Sequence, residues 1–328
     1  MLILGIESSC DETGAALVAE GRSILSNVVA SQTDLHSKFG GVVPELASRR
    51  HLELVNLVVE EAVGKTGKNL SDIEGIAVTC GPGLVGSLLV GVETAKALAY
   101  VLRVPLIGIN HLEGHLYAAW LEHALDFPVM GLIVSGGHTE LVFWKGHGRY
   151  ERLGRTRDDA AGEVFDKVAK LLELGYPGGP KIEKLAATGN ASFKKFPRAK
   201  MKDKSMDFSF SGLKTSVRLA VAAKGISGPD LAAGFQQAVI ESLIDRTIEA
   251  AREKNVRQVV ITGGVAVNQA LRRELVKAGK SKGLEVLYPS AELCTDNAAM
   301  IAAAGFWRLK SGEKSGSDLN ADPNLELK

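Results

Sequence analysis

Short continuous apolar runs alternate along the chain with longer stretches of helical spacing, the succession that builds an α/β protein. Leu2–Glu7 and residues 14–19 read as two strands joined by the polar turn Ser8-Ser9-Cys10-Asp11-Glu12-Thr13, a hairpin with acids at its tip. A charge-rich helix is expected over 43–63, closed by Gly64. A strand at 75–79, a Gly-Pro-Gly turn, a helix at 86–102, a strand at 105–109 and a helix at 111–125 follow, and Phe127-Pro128 ends the series.

The opening pattern then returns. VMGLIVSGGHTELVFW mirrors LILGIESSCDETGAALV, with strand, small polar turn and strand in the same order. The second half continues with a helix at 162–174, the loop Gly175-Tyr176-Pro177-Gly178-Gly179-Pro180, a basic irregular segment and a helix at 228–255. Next come a strand at Gln258–Thr262, a helix at 266–277, a strand at 284–288 and a last helix at about 296–309. The division expected is an N-terminal lobe over 1–126, rejoined by the helix at about 290–310, a C-terminal lobe over 127–289, and a flexible polar tail over 311–328. A duplicated α/β unit with a small polar turn in each half predicts two lobes around a nucleotide cleft. This is the two-lobed actin, Hsp70 and sugar-kinase (ASKHA) architecture, with duplicated ribonuclease-H-like units.

Composition narrows the class. Apolar residues make up 45% and charged residues 23%, and 39 basic against 38 acidic side chains leave a net charge of +1. That excludes a disordered tail or a polyanion-coating protein. Glycine, at 36 of 328 residues, exceeds the usual ~7% and points to tight turns and close backbone approaches. Cys10, Cys80 and Cys294 form no disulfide framework and no CxxC pair, which suits a reducing cytoplasm. The start reads as neither signal peptide nor anchor, and no apolar stretch approaches the ~18 residues of a membrane helix, so no membrane association is expected.

His111 and His115 stand four residues apart on one helical face, where a cation could bridge them. Glu113 is misplaced for a zinc-protease base, which would adjoin the first His, so Asn110 and Glu113 read more simply as an N-cap and its partner. A third ligand must come from elsewhere. Asp296 is a candidate, although an acid at a helix start is more often a cap. Gly81-Pro82-Gly83-Leu84-Val85-Gly86 fits GxGxxG, but no acid ends the next strand, and close helix packing is the better reading. Ser135-Gly136-Gly137-His138 could cradle an anion on its backbone, or be only a turn; Gly263-Gly264, with Asn268 in the helix after it, is a second such place. No GxSxG elbow supports a Ser-His-Asp triad. Lys194, Lys195, Arg198, Lys200, Lys202 and Lys204, interleaved with Phe193 and Phe196, read as a solvated loop or as a nucleic-acid patch.

GIESSCDET, PELASRRHLE, GPGLVGSLLVG, NHLEGHLYAAW, VSGGHTEL, GEVFDKVAKLLELGYPGGP, FSFSGLKT, VVITGGVAVNQALRREL and CTDNAAMIA, in this order and spacing, resemble the TsaD family of tRNA threonylcarbamoyladenosine transferases. The resemblance implies transfer of a threonylcarbamoyl group from threonylcarbamoyl-AMP to N6 of the adenosine at tRNA position 37, in tRNAs reading ANN codons, with release of AMP. It implies one metal ion, iron or zinc, on His111, His115 and Asp296. Substrate contacts carry over to Val134, Ser135, Gly136, Gly137, His138, Asp166, Gly179, Glu183 and Asn268. Ile133 stands where archaeal and eukaryotic relatives have a metal-touching Tyr, so the chain is similar to the bacterial branch. Asp11 or Glu12 could take the proton from N6. The implied partners are tRNA, a catalytically silent TsaB-like paralogue on the N-terminal lobe and a small TsaE-like P-loop ATPase, all cytoplasmic. The alternatives are a metalloprotease (glycoprotease) and a nucleotide-gated scaffold of the Hsp70 type.

Overall fold

The computed structural model describes residues 1–199, 201, 203, 205–223 and 225–327. The chain divides into two compact units. Unit 1 comprises Met1–Ala124, His147–Arg149 and Pro289–Lys328, and unit 2 comprises Leu125–Gly146 and Tyr150–Tyr288.

Unit 1 opens with β1 (Leu2–Glu7), β2 (Glu12–Ala19) and β3 (Ser23–Ser31), then the short α1 (Thr33–Ser37) and the long α2 (Pro44–Gly64). β4 (Gly75–Gly81), α3 (Val85–Leu102), β5 (Leu106–Asn110) and α4 (His111–Glu122) complete its first part. The sheet order is β3-β2-β1-β4-β5, with β1 antiparallel to β2 and parallel to β4. β1 and β4 are buried along their whole length, as strands covered on both faces should be. Alternation divides β1: Leu2, Leu4 and Ile6 join the cluster of Val55, Val58 and Val59 from α2 and Val92 and Ala95 from α3. Ile3, Gly5 and Glu7 take the opposite face.

Unit 2 repeats the plan. β6 (Val129–Val134), β7 (Thr139–Gly146) and β8 (Arg149–Arg155) are followed by α5 (Ala161–Leu171), α6 (Gly178–Ala186), α7 (Ser211–Ala223), α8 (Gly228–Glu253), β9 (Gln258–Thr262), α9 (Gln269–Lys280) and β10 (Glu285–Leu287). Its order, β10-β9-β6-β7-β8, reproduces that of unit 1 strand for strand, so the duplication extends to all five strands rather than the expected two. β3 and β8 escaped the sequence pattern because they are half-exposed edge strands; β8 reads RYERLGR, with polar positions on both faces. α6 begins inside what was expected to be the Gly-Pro loop, since Pro177 and Gly178 sit where a helix start tolerates them.

α10 (Ala291–Cys294) and α11 (Ala298–Lys310) return to unit 1. α11, AAMIAAAGFWRLK, crosses the face of β1 that carries Gly5 and also packs on α4. The approach is so close that a Cβ on Gly5 would lie 2.2 Å from the Ala298 carbonyl oxygen, and one on Gly114 of α4 2.6 Å from Ile301. Gly5→Ala is therefore expected to cost about 3 kcal/mol or more, since backbone must move to admit it; a urea midpoint unchanged from the parent would contradict this packing.

Two further expectations are corrected. α3 has a mean hydropathy of 1.5 over 18 residues and is the one helix among the described residues long and apolar enough to cross a membrane. Its two charges, Glu93 and Lys96, pair at 2.9 Å, and one side of it is buried against β4 and α2, where Gly86 meets Ser48. The segment after Ser311, expected to be a flexible tail, is laid along β4 and β5: Ser315 N donates to the Leu106 carbonyl (2.7 Å) and Asp322 N to that of Cys80 (2.8 Å). Leu319, Leu325 and Leu327 supply the apolar contacts that its otherwise polar composition hid.

Candidate metal centre and substrate-binding residues

β5 delivers the chain into α4 through Asn110, whose side-chain oxygen caps Leu112 N at 2.8 Å. His111 and His115 follow on the inward face of α4, buried, with ring centroids 4.7 Å apart. Glu113 makes half of the capping pair expected: its N donates to Asn110 Oδ1 at 3.4 Å, but its side chain turns elsewhere. It is buried and held by both arms of Arg308 of α11 (2.8 and 3.0 Å), so its carboxylate is committed to docking α11 and does not face a peptide bond to be cleaved.

At the start of α11 the capping role falls to Asn297, which accepts from Met300 N at 3.1 Å. Asp296 is thereby free of the cap role that its position suggested. Its Oδ1 lies 3.5 Å from Nε2 of His111 and 3.3 Å from Nε2 of His115, and the three ligand atoms fall within 4.8 Å of one another.

Glu7, the last residue of the apolar strand β1, stands behind His111. Its Oε2 is 3.1 Å from Nδ1, with Ser9 Oγ at 3.2 Å from the same nitrogen. Thr79 Oγ1 donates to Oε2 (2.6 Å) and Ser9 N to Oε1 (2.6 Å). A proton on Nδ1 directed at Glu7 leaves the Nε2 lone pair toward Asp296, the orientation of a carboxylate-backed metal ligand. Period two along β1 puts Glu7 on the α11 side; only the pairing of β1 with β4 and the docking of α4 reveal its target.

Burial disfavours charge on His111, but Asp296 and Glu7 outweigh it and raise its pKa well above the ordinary value. Burial, with the charge of His111 adding to it, lowers that of His115 despite Asp296. Burial also works against the charge of Asp296, yet the two imidazoles hold its pKa well below normal. Two carboxylates thus converge where one positive charge sits. His115 is wholly buried and neither ring nitrogen has a hydrogen-bond partner among the described residues; the 3.3 Å approach to Asp296 lacks hydrogen-bond alignment. Such an imidazole is expensive unless something satisfies it, and a cation would. The residues fit a metal ion. Glu7→Gln is expected to weaken metal affinity roughly 10- to 100-fold while leaving the three ligands in place, as loss of a ligand's outer partner does; competition with a chelator measures it.

Asp11 and Glu12, at the hairpin tip, are drawn inward. Asp11 is buried, and burial together with Asp296 and Asp11 pushes Glu12 up to about 9, with Ser31 Oγ donating to it at 3.1 Å.

In unit 2, Ser135 closes the β6–β7 turn: its N donates to the His138 carbonyl (2.8 Å) and its Oγ accepts from His138 N (3.1 Å). Gly136 and Gly137 project outward, with nothing within 4 Å of where a Cβ would stand. Val134 is buried, and its carbonyl oxygen would be 2.4 Å from a Cβ on Gly263, whose φ of 95° also demands glycine. Asp166 of α5 accepts from Gly178 N (2.6 Å), beside Gly179. Glu183 of α6 accepts from Gln269 N (2.6 Å). Asn268 is the N-cap of α9, which starts at Gln269 rather than at 266 as expected; it accepts from Leu271 N (2.9 Å) and donates to Gln236 (2.8 Å), a buried partner that the sequence did not flag. Glu183, Gln236, Gln269 and Arg273 line a cavity of about 420 Å³, within the range of small-ligand pockets.

The basic segment is less open than expected. Arg198 pairs with Asp245 (2.6 Å) and Glu241 (3.3 Å), and Phe196 is buried while Phe193 is exposed. Lys200, Lys202 and Lys204 lie outside the described residues.

Comparison with known proteins gives the family. The family model described as TsaD, tRNA N6-adenosine threonylcarbamoyltransferase, matches residues 23–303. A protein of that name from Symbiobacterium thermophilum is 57% identical over 99% of this chain and 97% of its own length, and one from Clostridium perfringens is 53% identical over 99% and 98%. Among solved structures, T. kodakarensis HypF matches with a TM-score of 0.67 at 18% identity over 94% of this chain, which spans about half (48%) of that longer chain. The activator of 2-hydroxyisocaproyl-CoA dehydratase from Clostridium difficile, with bound ADPNP, matches with a TM-score of 0.54 at 17% identity over 96% of this chain and 99% of its own. At such identities these likenesses concern the fold alone, that of the duplicated ASKHA class. The relatives' names, their full-length identity and the family match lead to one assignment: the chain belongs to the TsaD family of tRNA N6-adenosine threonylcarbamoyltransferases.

Proposed function

We propose that this chain transfers the threonylcarbamoyl group of threonylcarbamoyl-AMP to N6 of adenosine 37 in tRNAs that read ANN codons, with His111, His115 and Asp296 holding one iron or zinc ion. The observation that supports it most is the buried His115 ring without hydrogen-bond partners among the described residues, set beside a carboxylate and a carboxylate-backed second imidazole. When bound, such an ion supplies Lewis acidity toward an acyl oxygen.

The protein's own groups account for the rest. The backbone of Val134–His138 takes the adenylate, with Gly136 and Gly137 leaving room for close approach. Asp166, Gly179, Glu183 and Asn268 bind and orient the nucleotide. The N6 nitrogen bonds to the carbamoyl carbon, the carbon–oxygen bond to phosphate breaks, and AMP leaves. The proton released by N6 passes to Asp11 or Glu12. Burial, with Asp296 and Asp11 adding to it, pushes Glu12 up to about 9 in the metal-free chain, and positive charge held at Asp296 would lower its pKa toward the range of a base.

A near-neutral chain must bind tRNA through local patches, with Lys194, Lys195 and the exposed Phe193 the candidates and partner subunits extending the surface. The apolar side chains left exposed on α2 and α3, among them Leu52, Leu57, Tyr100 and Val101, suit a TsaB-like paralogue, and a TsaE-like P-loop ATPase would join that assembly in the cytoplasm. The deciding experiment incubates the chain and these partners with unmodified tRNA and synthetic threonylcarbamoyl-AMP, followed by mass spectrometry of the digested nucleosides. Threonylcarbamoyladenosine should appear only with metal-loaded protein; its formation at full rate after chelation would remove the metal from the mechanism.

A further inference from the structure

The turn between β1 and β2 is fixed residue by residue. Ser8 Oγ donates to the Ser87 carbonyl (2.8 Å), the Ser9 carbonyl accepts from Leu84 N (2.8 Å), and the Asp11 carbonyl accepts from Gln32 N (3.0 Å). The two positions that flank the acids are held by one side chain. His51 of α2 places Nε2 3.0 Å from the Cys10 carbonyl oxygen and Nδ1 2.8 Å from Thr13 Oγ1. A carbonyl only accepts, so Nε2 carries the proton; the neutral ring then has its lone pair at Nδ1, and the Thr13 hydroxyl donates to it. The ring is fully buried, which lowers its pKa and favours the neutral form. Both bonds go to the turn. α2 does not need them for docking, because Ala47, Val55, Val58, Val59, Ala62 and Val63 already bury its apolar side. A leucine at position 51 would satisfy packing alone.

We propose that His51 is a positioning residue for threonylcarbamoyl transfer, its two nitrogens gripping Cys10 and Thr13 so that Asp11 and Glu12 between them hold one geometry. The proposal rests on the reading of those acids as the groups that handle the N6 proton. Displacing a reacting group by about 1 Å can cost up to ~100-fold in rate. His51→Leu in the full chain should therefore lower kcat roughly 10- to 100-fold, with KM for tRNA and metal content unchanged. His51→Gln can still donate near the Cys10 carbonyl and His51→Asn can still meet Thr13, so each should recover part of the loss. Thr13→Val, which removes one hydroxyl at constant shape, should lower kcat about tenfold alone and add nothing on top of His51→Leu, because both act through one bond.

Asp11→Asn and Glu12→Gln are measured alongside. If both keep the parental kcat, the reading of the acids fails. If either loses activity while His51→Leu, per folded metal-loaded chain, matches the parent, the positioning role of His51 is overturned. Should His51→Leu not fold, Thr13→Val and His51→Gln are judged by the same kcat criterion, and parental values in both overturn the proposal.

Discussion

His115→Ala is expected to empty the metal centre and to cut threonylcarbamoyl transfer by about a thousandfold. Lewis-acid stabilisation by a bound ion is worth several kcal/mol, and each 1.36 kcal/mol is a factor of ten in rate. The same substitution should do little to the metal-free fold. Because neither nitrogen of His115 is hydrogen-bonded among the described residues, truncation breaks no hydrogen bond there and removes the packing of a buried ring and its 3.3 Å approach to Asp296. The metal-free variant and the metal-free parent should then unfold within about 2 kcal/mol of each other, while elemental analysis falls from one ion per chain toward none. A variant that kept a stoichiometric ion and full activity would show that the ligand set lies elsewhere. Asp296→Asn, which keeps shape and removes charge, should give the same metal loss with a smaller packing cost.

Gly137→Val should abolish measurable binding of an adenine nucleotide while leaving stability nearly untouched. The position is exposed and its Cβ direction is empty, so the folded chain can accommodate a side chain, with a change of about 0.5 kcal/mol as for ordinary surface positions. A β-branched side chain would nevertheless occupy the space through which, on the function proposed above, an adenylate reaches the backbone between Ser135 and His138. Calorimetric titration of the full chain with AMP decides the matter: unchanged affinity would take the turn out of the binding site. Gly263 makes a useful contrast. There a side chain would strike the Val134 carbonyl at 2.4 Å, and the loss would be of folding rather than of binding.

What could be read from the sequence follows burial. β1, β4 and β9 announced themselves because strands covered on both faces become unbroken apolar runs, and Gln258–Thr262 was located to the residue. β3 and β8 carry no such run, since an edge strand needs only half of its side chains inside. α7 was lost in a segment read as basic and irregular, where Leu213, Val217 and Ala220 form its only buried stripe. At the metal centre the His pair was legible because helical spacing is local. Asp296 lies far along the chain and its local context spoke for a cap, so only resemblance to the family placed it there; the cap itself is Asn297. Glu7, His51 and Gln236 left no local signal, because each acts on a partner brought to it by strand pairing or helix docking rather than by sequence distance.

The strip of chain after α11 has a colloidal consequence. β5 is the outermost strand of its sheet, and a bare outer strand offers another molecule a row of unpaired amides and carbonyls. Here Ser315 occupies the Leu106 carbonyl and, through its hydroxyl, Gly108 N, and the bulge between Thr79 and Gly81 turns the Cys80 carbonyl out of the ladder to be met by Asp322. Asp322 passes so close to Gly81 that a side chain there would lie 1.9 Å from its carbonyl oxygen, so strand and strip have been shaped to one another. A protease cut after Gly312 would leave the candidate metal ligands and substrate-binding residues chemically whole and uncover that border. Preparations clipped there would lose titre by sheet-to-sheet clumping during storage, long before they lost catalytic groups.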